Sequence, residues 1–477
     1  VGSPDGGSAL AAVAPFVAVD RVGLKDENKK PLDAVVRKTN SSHAAMNTPS
    51  ALPVPSRPLK VALFHGDDPP ALNLLAQLAP LGVQFLAYSP EADCLVRHSK
   101  YIQQFELCPE PTAFDQFLPW LEAKLKAGVF DVVAPTSDFI AYTVARLRDS
   151  FAEDIRATLP TVETLLTALD KGRLHHAMQA AGIRCPNTAL PESTEAALSA
   201  AERMGYPVLL KPRTHLGLGW AWRGGLFNDA ASLKAAFVRT PHAPGNDQFA
   251  QQHPEFYWPM VQAFQKQEPS LDTRVYSVTG FMNAQGQAQA VGVVRKLACW
   301  PPLTGVGTVF EDVDAPVLAA HGTCVAQVLQ LRGIFELEFL DSPQGWALLD
   351  VNPRAFGMIS LDLACGRDLA GHWWAAASGD TRLLEVRPLA VPPVPIRWRN
   401  TVPVHITAWV AFLRCSNRWD LIKRYYQALR RPAVGRLPNH AEPSLRWGLF
   451  LRQLNRLPTL VKHCIKADRI ALSESIQ

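Results

Sequence analysis

The sequence predicts a mixed α/β and α+β protein, with a small doubly wound sheet near its start, a central region of strands and helices, and a helical extension at its end. Three observations carry this. Strand and helix patterns alternate from Leu59 to Tyr88; two short strands with acidic side chains on one face occupy residues 335–352; and basic residues gather on a helical period after residue 400. At 477 residues, 48% hydrophobic and 19% charged, the chain reads as globular and long enough for several cores. No apolar run reaches membrane-spanning length, and the apolar stretch 10–19 follows Pro-Asp-Gly-Gly-Ser without basic residues, so a cytoplasmic protein is expected. The eight cysteines are scattered without Cys-x-x-Cys, which suggests reduced core residues and neither a zinc site nor a disulfide framework. Residues 401–477 hold 13 Lys+Arg against 4 Asp+Glu, so the net charge of +5 belongs to the tail.

Residues 1–58 are rich in Gly, Ser, Pro and Ala and read as disordered or linker; the first methionine is Met46, and residues 1–45 read as an upstream or tag-derived segment. Lys60-Val-Ala-Leu-Phe-His is an expected strand, 71–81 a helix stopped by Gly82, and 83–88 a second strand. Helices over 119–127 and 139–151 flank a strand at 131–135, which gives a domain over 59–160. Its first turn, Gly66-Asp67-Asp68, is acidic and lacks Gly-x-Gly-x-x-Gly, so it suits a substrate better than a dinucleotide. A helix over 164–181 carries Asp170-Lys171, a second spans 194–204, and the strand 208–211 delivers Lys211 into the Gly-containing loop 212–225. A lysine leaving a strand into such a loop offers a polyphosphate one fixed cation and closing backbone amides, although the spacing is not a P-loop. Strands follow at 258–264, 274–281 and 289–297, then a helix over 319–331 stopped by Gly333.

In the hairpin, Phe335, Leu337 and Phe339 alternate with Glu336 and Glu338, and after Asp-Ser-Pro-Gln-Gly, Ala347, Leu349 and Val351 alternate with Asp350 and Asn352. With Leu340 opposite Trp346, all four polar residues share one side, and Glu338 lies diagonally from Asp350 at roughly 7–8 Å. Carboxylates so placed need a compensating cation, and an all-oxygen set favours magnesium or manganese over zinc. The set favoured as metal ligands is Glu338, Asp350 and Asn352, with Glu336 left as structure or substrate wall.

Taken in order, these segments resemble the ATP-grasp superfamily, in its carboxylate-amine ligase branch, similar to short forms of the carbamoyl-phosphate synthase large subunit. Asp170-Lys171 and Val208-Leu-Leu-Lys211-Pro look like the two ATP lysines, Val261-Gln262-Ala-Phe-Gln265 like the adenine hinge with Glu268 beside the ribose, and Phe335-Glu-Leu-Glu338 with Leu349-Asp350-Val-Asn352-Pro-Arg354 like the paired metal strands. The resemblance covers roughly residues 60–380, and implies ATP-grasp lobes over 161–258 and 259–395, ahead of a basic extension over 396–477. It implies ATP and Mg2+ (or Mn2+) as cofactors, and a carboxylate attacking the γ-phosphate to give an acyl phosphate that an amine then captures. In that chemistry Lys171 and Lys211 hold phosphates, and Lys211 and Arg354 are catalytic, Arg354 answering the developing oxyanion. Three positions depart from the pattern: Asp350 where Glu is usual, Gln262 where Glu is frequent, and a loop 213–225 made bulky by His215, Trp220 and Trp222. Arg295-Lys296 faces the acyl-phosphate site by its place in the pattern, or is a basic strand edge resisting aggregation.

The expected activity is an ADP-forming carboxylate-amine ligase. Its alternatives are a bicarbonate-activating carboxylase or carbamoyl-phosphate-type enzyme, and a nucleotide-binding regulatory protein without turnover. Expected partners are a small carboxylate and an amine, with no nucleic acid and with a homodimer left open. In the tail, helices are expected over 406–429 and 445–470, the second broken at Pro458, with Phe450, Leu454, Leu457, Val461 and Cys464 on one face. That face packs on the neighbouring domain or, with Trp447 and Phe450 among arginines, meets a peripheral anionic membrane surface.

Overall fold

The computed structural model describes residues 58–219, 224–264, 274–300, 306–381, 384, 395–400, 432–438 and 440–455. Three sheets organise them. The first is four-stranded and parallel, in the order β3-β2-β1-β4, with β1 Lys60–Leu63, β2 Gln84–Ser89, β3 Ile102–Leu107 and β4 Val132–Val133. Buried on both faces, its central strands read as continuous apolar runs, and Val61, Ala62, Leu63, Phe85 and Ala87 are wholly inaccessible. The edge strand β3 was not expected. Its Ile-Gln-Gln-Phe-Glu-Leu is half exposed and lacks a clean period of two.

Helices begin where the chain supplies caps. Ser137, Thr161 and Ser193 each accept a backbone N–H from the first turn of their helix, at the starts of Asp138–Arg146, Val162–Leu169 and Thr194–Met204. The single helix expected over 164–181 is two. Asp170 takes an extended conformation after Val162–Leu169 and caps Lys171–Ala180, its carboxylate accepting from Gly172 N at 2.9 Å. An aspartate competes well for backbone donors at a helix start, and here that breaks an otherwise continuous apolar period.

The second sheet has the order β5-β8-β6-β7, with β5 Thr188–Ala189, β6 Val208–Lys211, β7 Gly225–Phe227 and β8 Met260–Ala263. The third has seven strands, β13-β12-β9-β10-β11-β14-β15, with β9 Val275–Met282, β10 Ala288–Trp300, β11 Val306–Asp312, β12 Gly333–Ser342, β13 Gly345–Asn352, β14 Arg397–Arg399 and β15 Ala433–Val434. The helix Pro316–Val328 lies on it at Gly322, where an added Cβ would come within 2.7 Å of the Val278 side chain. β10 sits between β9 and β11, so Arg295-Lys296 is no strand edge.

The hairpin β12–β13 forms, with a different register. Leu340 lies opposite Ala347 and Asp341 opposite Trp346, and an irregularity after Glu338 leaves Leu349 as an extra residue, so Glu338 faces Asp350 directly and Glu336 faces Asn352. The bulge restores the shared polar face that a one-residue slip would have destroyed. It also puts Leu348, at 1% exposure, into the core in place of the expected Leu349.

In the tail, the helix Pro443–Asn455 packs through Leu445 and Leu449 on the turn at Leu95–His98, and Gly448 allows close approach to Leu95. Arg452 pairs with Asp67, and Glu442 accepts from Ser99 Oγ. The packed face is therefore Leu445 and Leu449, one register away from the Phe450–Leu454 face expected. Trp447 and Phe450 are exposed, their rings edge to face at 5.7 Å. The expected helix 406–429 and residues 456–470 lie outside the described residues. No helix among the described residues is long and apolar enough to cross a membrane.

Candidate functional site

The polar face of the hairpin is met by cations from three other elements. Lys171, at the first position of its helix, places Nζ 2.5 Å from Asp350 Oδ1, and Lys296 of β10 places Nζ 2.8 Å from Glu338 Oε1. Arg354, just past β13, donates from Nε to Asp138 Oδ1 at 2.8 Å and from Nη2 to Asn352 Oδ1 at 3.1 Å. Glu336 is more enclosed and accepts from Ser277 Oγ at 2.9 Å and from Asn352 Nδ2 at 3.2 Å. From the second sheet, Lys211 Nζ donates to Gln262 Oε1 at 3.4 Å, and Gln262 Nε2 donates to Thr188 Oγ1 at 3.0 Å. Val261 is wholly buried beside Val208 and Leu210, so its side chain is core. Gln265 and Glu268 lie outside the described residues, as do Trp220 and Trp222.

The charges set one another. For Lys171, burial works against the ammonium, but the Asp350 carboxylate outweighs it and the pKa rises; the same contest at Asp350 ends with Lys171 holding the carboxyl below its ordinary value. Lys296 likewise is raised, with Glu338 overcoming burial. Lys211 has no carboxylate in contact among the described residues, and burial reinforced by Lys171 brings it down to about 8. Burial, then the neighbouring Glu338, pushes Glu336 up to about 7.

A family model described as carbamoyl-phosphate synthase L chain, ATP binding domain, matches residues 170–249, a span that begins at Asp170-Lys171 and includes Lys211. Among solved structures, biotin carboxylase from Campylobacter jejuni in an ATP complex matches at 17% identity and a TM-score of 0.51, over 68% of this chain and 71% of its own. An N5-carboxyaminoimidazole ribonucleotide synthetase in its ADP complex matches at 14% and 0.52, over 76% and 86%. The L-amino acid ligase from Bacillus licheniformis matches at 14% and 0.50, over 70% and 78%. This is an ATP-grasp fold.

Between the two sheets of the ATP-grasp fold the expected Lys171, Lys211, Gln262, Glu338, Asp350, Asn352 and Arg354 do converge, since Lys211 and Lys171 act on each other and both feel Asp350 and Glu338. Other side chains in this cluster were less visible from the sequence. Asp138 anchors Arg354 from the first domain, and Ser277 holds Glu336. Arg213, expected as part of a phosphate loop, instead forks onto Asp170 at 3.0 and 2.7 Å. Only the period of two at Ser277, two residues after Val275, could have hinted at a polar position inside an apolar strand.

The donor set fits magnesium. Among the described residues no three His, Cys, Asp or Glu side chains converge as a complete cage. Two carboxylates and an amide on facing strands leave coordination positions for phosphate and water, which is how magnesium is ordinarily held beside a nucleotide.

Proposed function

We propose that the protein is an ATP-dependent ligase that joins a carboxylate to an amine through an acyl phosphate, releasing ADP and phosphate. The observation that supports it best is the pairing of Lys171 with Asp350 and Lys296 with Glu338, in which each ammonium could transfer to a phosphate oxygen while its carboxylate turns to a metal. Glu338, Asp350 and Asn352 would hold magnesium, which when bound neutralises charge between the β- and γ-phosphates. Lys171 and Lys211 position the phosphates, the 261–268 segment (Val261, Gln262, Gln265 and Glu268) receives the nucleoside, and Arg354 donates to the oxyanion that forms when the amine attacks. Asp138 and Asn352 orient that guanidinium, so it meets the charge without reorganising.

The test is amine-dependent ADP release. Carboxylic acids, bicarbonate included, are screened against amines with mass-spectrometric detection of amide; ADP should form slowly with ATP alone and much faster with the right pair. ATP binding with no acid-dependent turnover in the whole panel would instead make the chain a nucleotide-binding regulator.

A further inference from the structure

The first sheet has a topological switch point between β1 and β4, because the chain leaves β1 for β2 on one side and reaches β4 on the other. In such sheets ligands enter the crevice beyond the carboxyl ends of those strands. Here the crevice adjoins the hairpin exit: Ala355 N donates to Pro135 O at 2.9 Å, and Arg354 reaches Asp138. Carrying the Ala62–Val133 register forward sets His65 beside Thr136. Among the described residues, both leave a buried polar atom without a hydrogen bond, Nε2 of His65 and Oγ1 of Thr136, and Thr136 is only 3% exposed. His65 also holds a φ of 54°, a conformation uncommon for a residue with a Cβ, fixed by the turn in which Asp68 N donates to its carbonyl at 2.8 Å and by Gly66 tucked against Val96. Strain and unmet hydrogen bonds at a crevice mouth are features that a substrate can satisfy.

We propose that His65 is the proton acceptor for the attacking amine and that the Thr136 hydroxyl orients that amine. This rests on the ligase reading above. The ammonium first passes one proton to His65 Nε2; the neutral nitrogen then attacks the acyl carbon, the C–N bond forms as the C–O bond to phosphate breaks, and the electron pair leaves with phosphate, which takes the second N–H proton. Burial lowers the His65 pKa, with Arg354 acting in the same direction against Asp68 and Glu110, so the ring is neutral and able to accept. Those two exposed carboxylates, at the turn after β1 and beyond β3, favour an amine that arrives as a cation.

The experiment uses ATP, magnesium and a panel of carboxylic acids that includes the twenty L-amino acids and bicarbonate, with either hydroxylamine, largely unprotonated near neutral pH, or methylamine, almost wholly protonated there. His65→Asn keeps a side chain that tolerates positive φ. It should slow methylamide formation about 100-fold, the size of a lost general base, and slow hydroxamate formation far less, because hydroxylamine arrives without the proton that His65 removes. Thr136→Val should raise the KM for methylamine about tenfold, the scale of one lost hydrogen bond, with a much smaller change in kcat. Equal losses with both nucleophiles, or no loss of methylamide, overturn the proposal. Wild-type protein that forms neither product, and no acid-dependent ADP, overturns the ligase reading itself.

Discussion

Two charge networks sit on the same face of the seven-stranded sheet and do different work. Ser277 and Thr279, two apart on β9, each donate a hydroxyl to a carboxylate: Ser277 to Glu336, and Thr279 to Asp362 Oδ1 at 2.7 Å. At Asp362 an arginine ties two carboxylates together. Arg367 donates from Nε to Asp362 Oδ1 at 2.8 Å and from Nη2 to Asp312 Oδ1 at 2.8 Å, over Gly292, where any Cβ would strike the guanidinium. At the hairpin the cations are mostly lysines, borne on separate elements, and the carboxylates are partly open, Asp350 at 38% and Glu338 at 23%. A guanidinium fork fixes geometry, whereas an ammonium on a flexible stem can change partner. The same sheet thus carries an arginine fork in one network and mostly lysines in the other.

The comparison is most sharply broken at the hairpin. Glu338→Gln should lower turnover more than about 1,000-fold, equivalent to the several kcal/mol that metal charge contributes, in a protein that still folds and binds ADP. Full activity in that variant would remove Glu338 from the metal set. Arg367→Met should do the reverse, costing about 3–5 kcal/mol of stability by stranding buried Asp362, with the activity of each folded molecule retained. Urea unfolding that leaves the midpoint in place would show that the arginine network holds nothing.

Smaller effects refine it. Lys211 is charged in the free protein below about pH 8 and neutral above. A polyphosphate prefers the ammonium, so ADP affinity should be fully present below that pH and weaken by up to about tenfold per pH unit as it rises further, as expected for one linked proton. Calorimetry between pH 7 and 9.5 checks this, and a flat profile in the wild type would contradict it. Least of all, Arg452→Ala, which removes a partly exposed pair with Asp67, should cost less than about 1 kcal/mol and leave turnover unchanged. A larger loss in thermal unfolding would mean that the tail braces the first sheet.

What the sequence made legible follows from range. Period and caps are local, so the strand 208–211, the helix 194–204 and the polar face of the hairpin could be read directly. The bulge at Leu349 could not, because one extra residue changes pairing without changing composition. β11 was missed, and with it the fact that Lys296 lies inside a sheet; its neighbours are set by pairings that no local pattern encodes. Asp138, 216 positions from Arg354, and Arg213, 43 from Asp170, are ordinary surface charges until the fold brings their partners. The unmet groups at His65 and Thr136 likewise have no signature in the chain, because being unpaired is a property of the surroundings.

The fork between Arg213 and Asp170 reaches further than local bracing. Lys171 N also donates to Arg213 O at 2.9 Å, so the start of the Lys171 helix and the exit of β6 are stapled by both side chain and main chain. The backbones that carry Lys171 and Lys211 are therefore tied into one jaw of a calliper before any ligand arrives. The hairpin, on a different sheet, is the other jaw. Prying Lys171 from Asp350 changes the gap and not the jaw, which would let one pair of lysines grip phosphates at the same separation throughout a catalytic cycle.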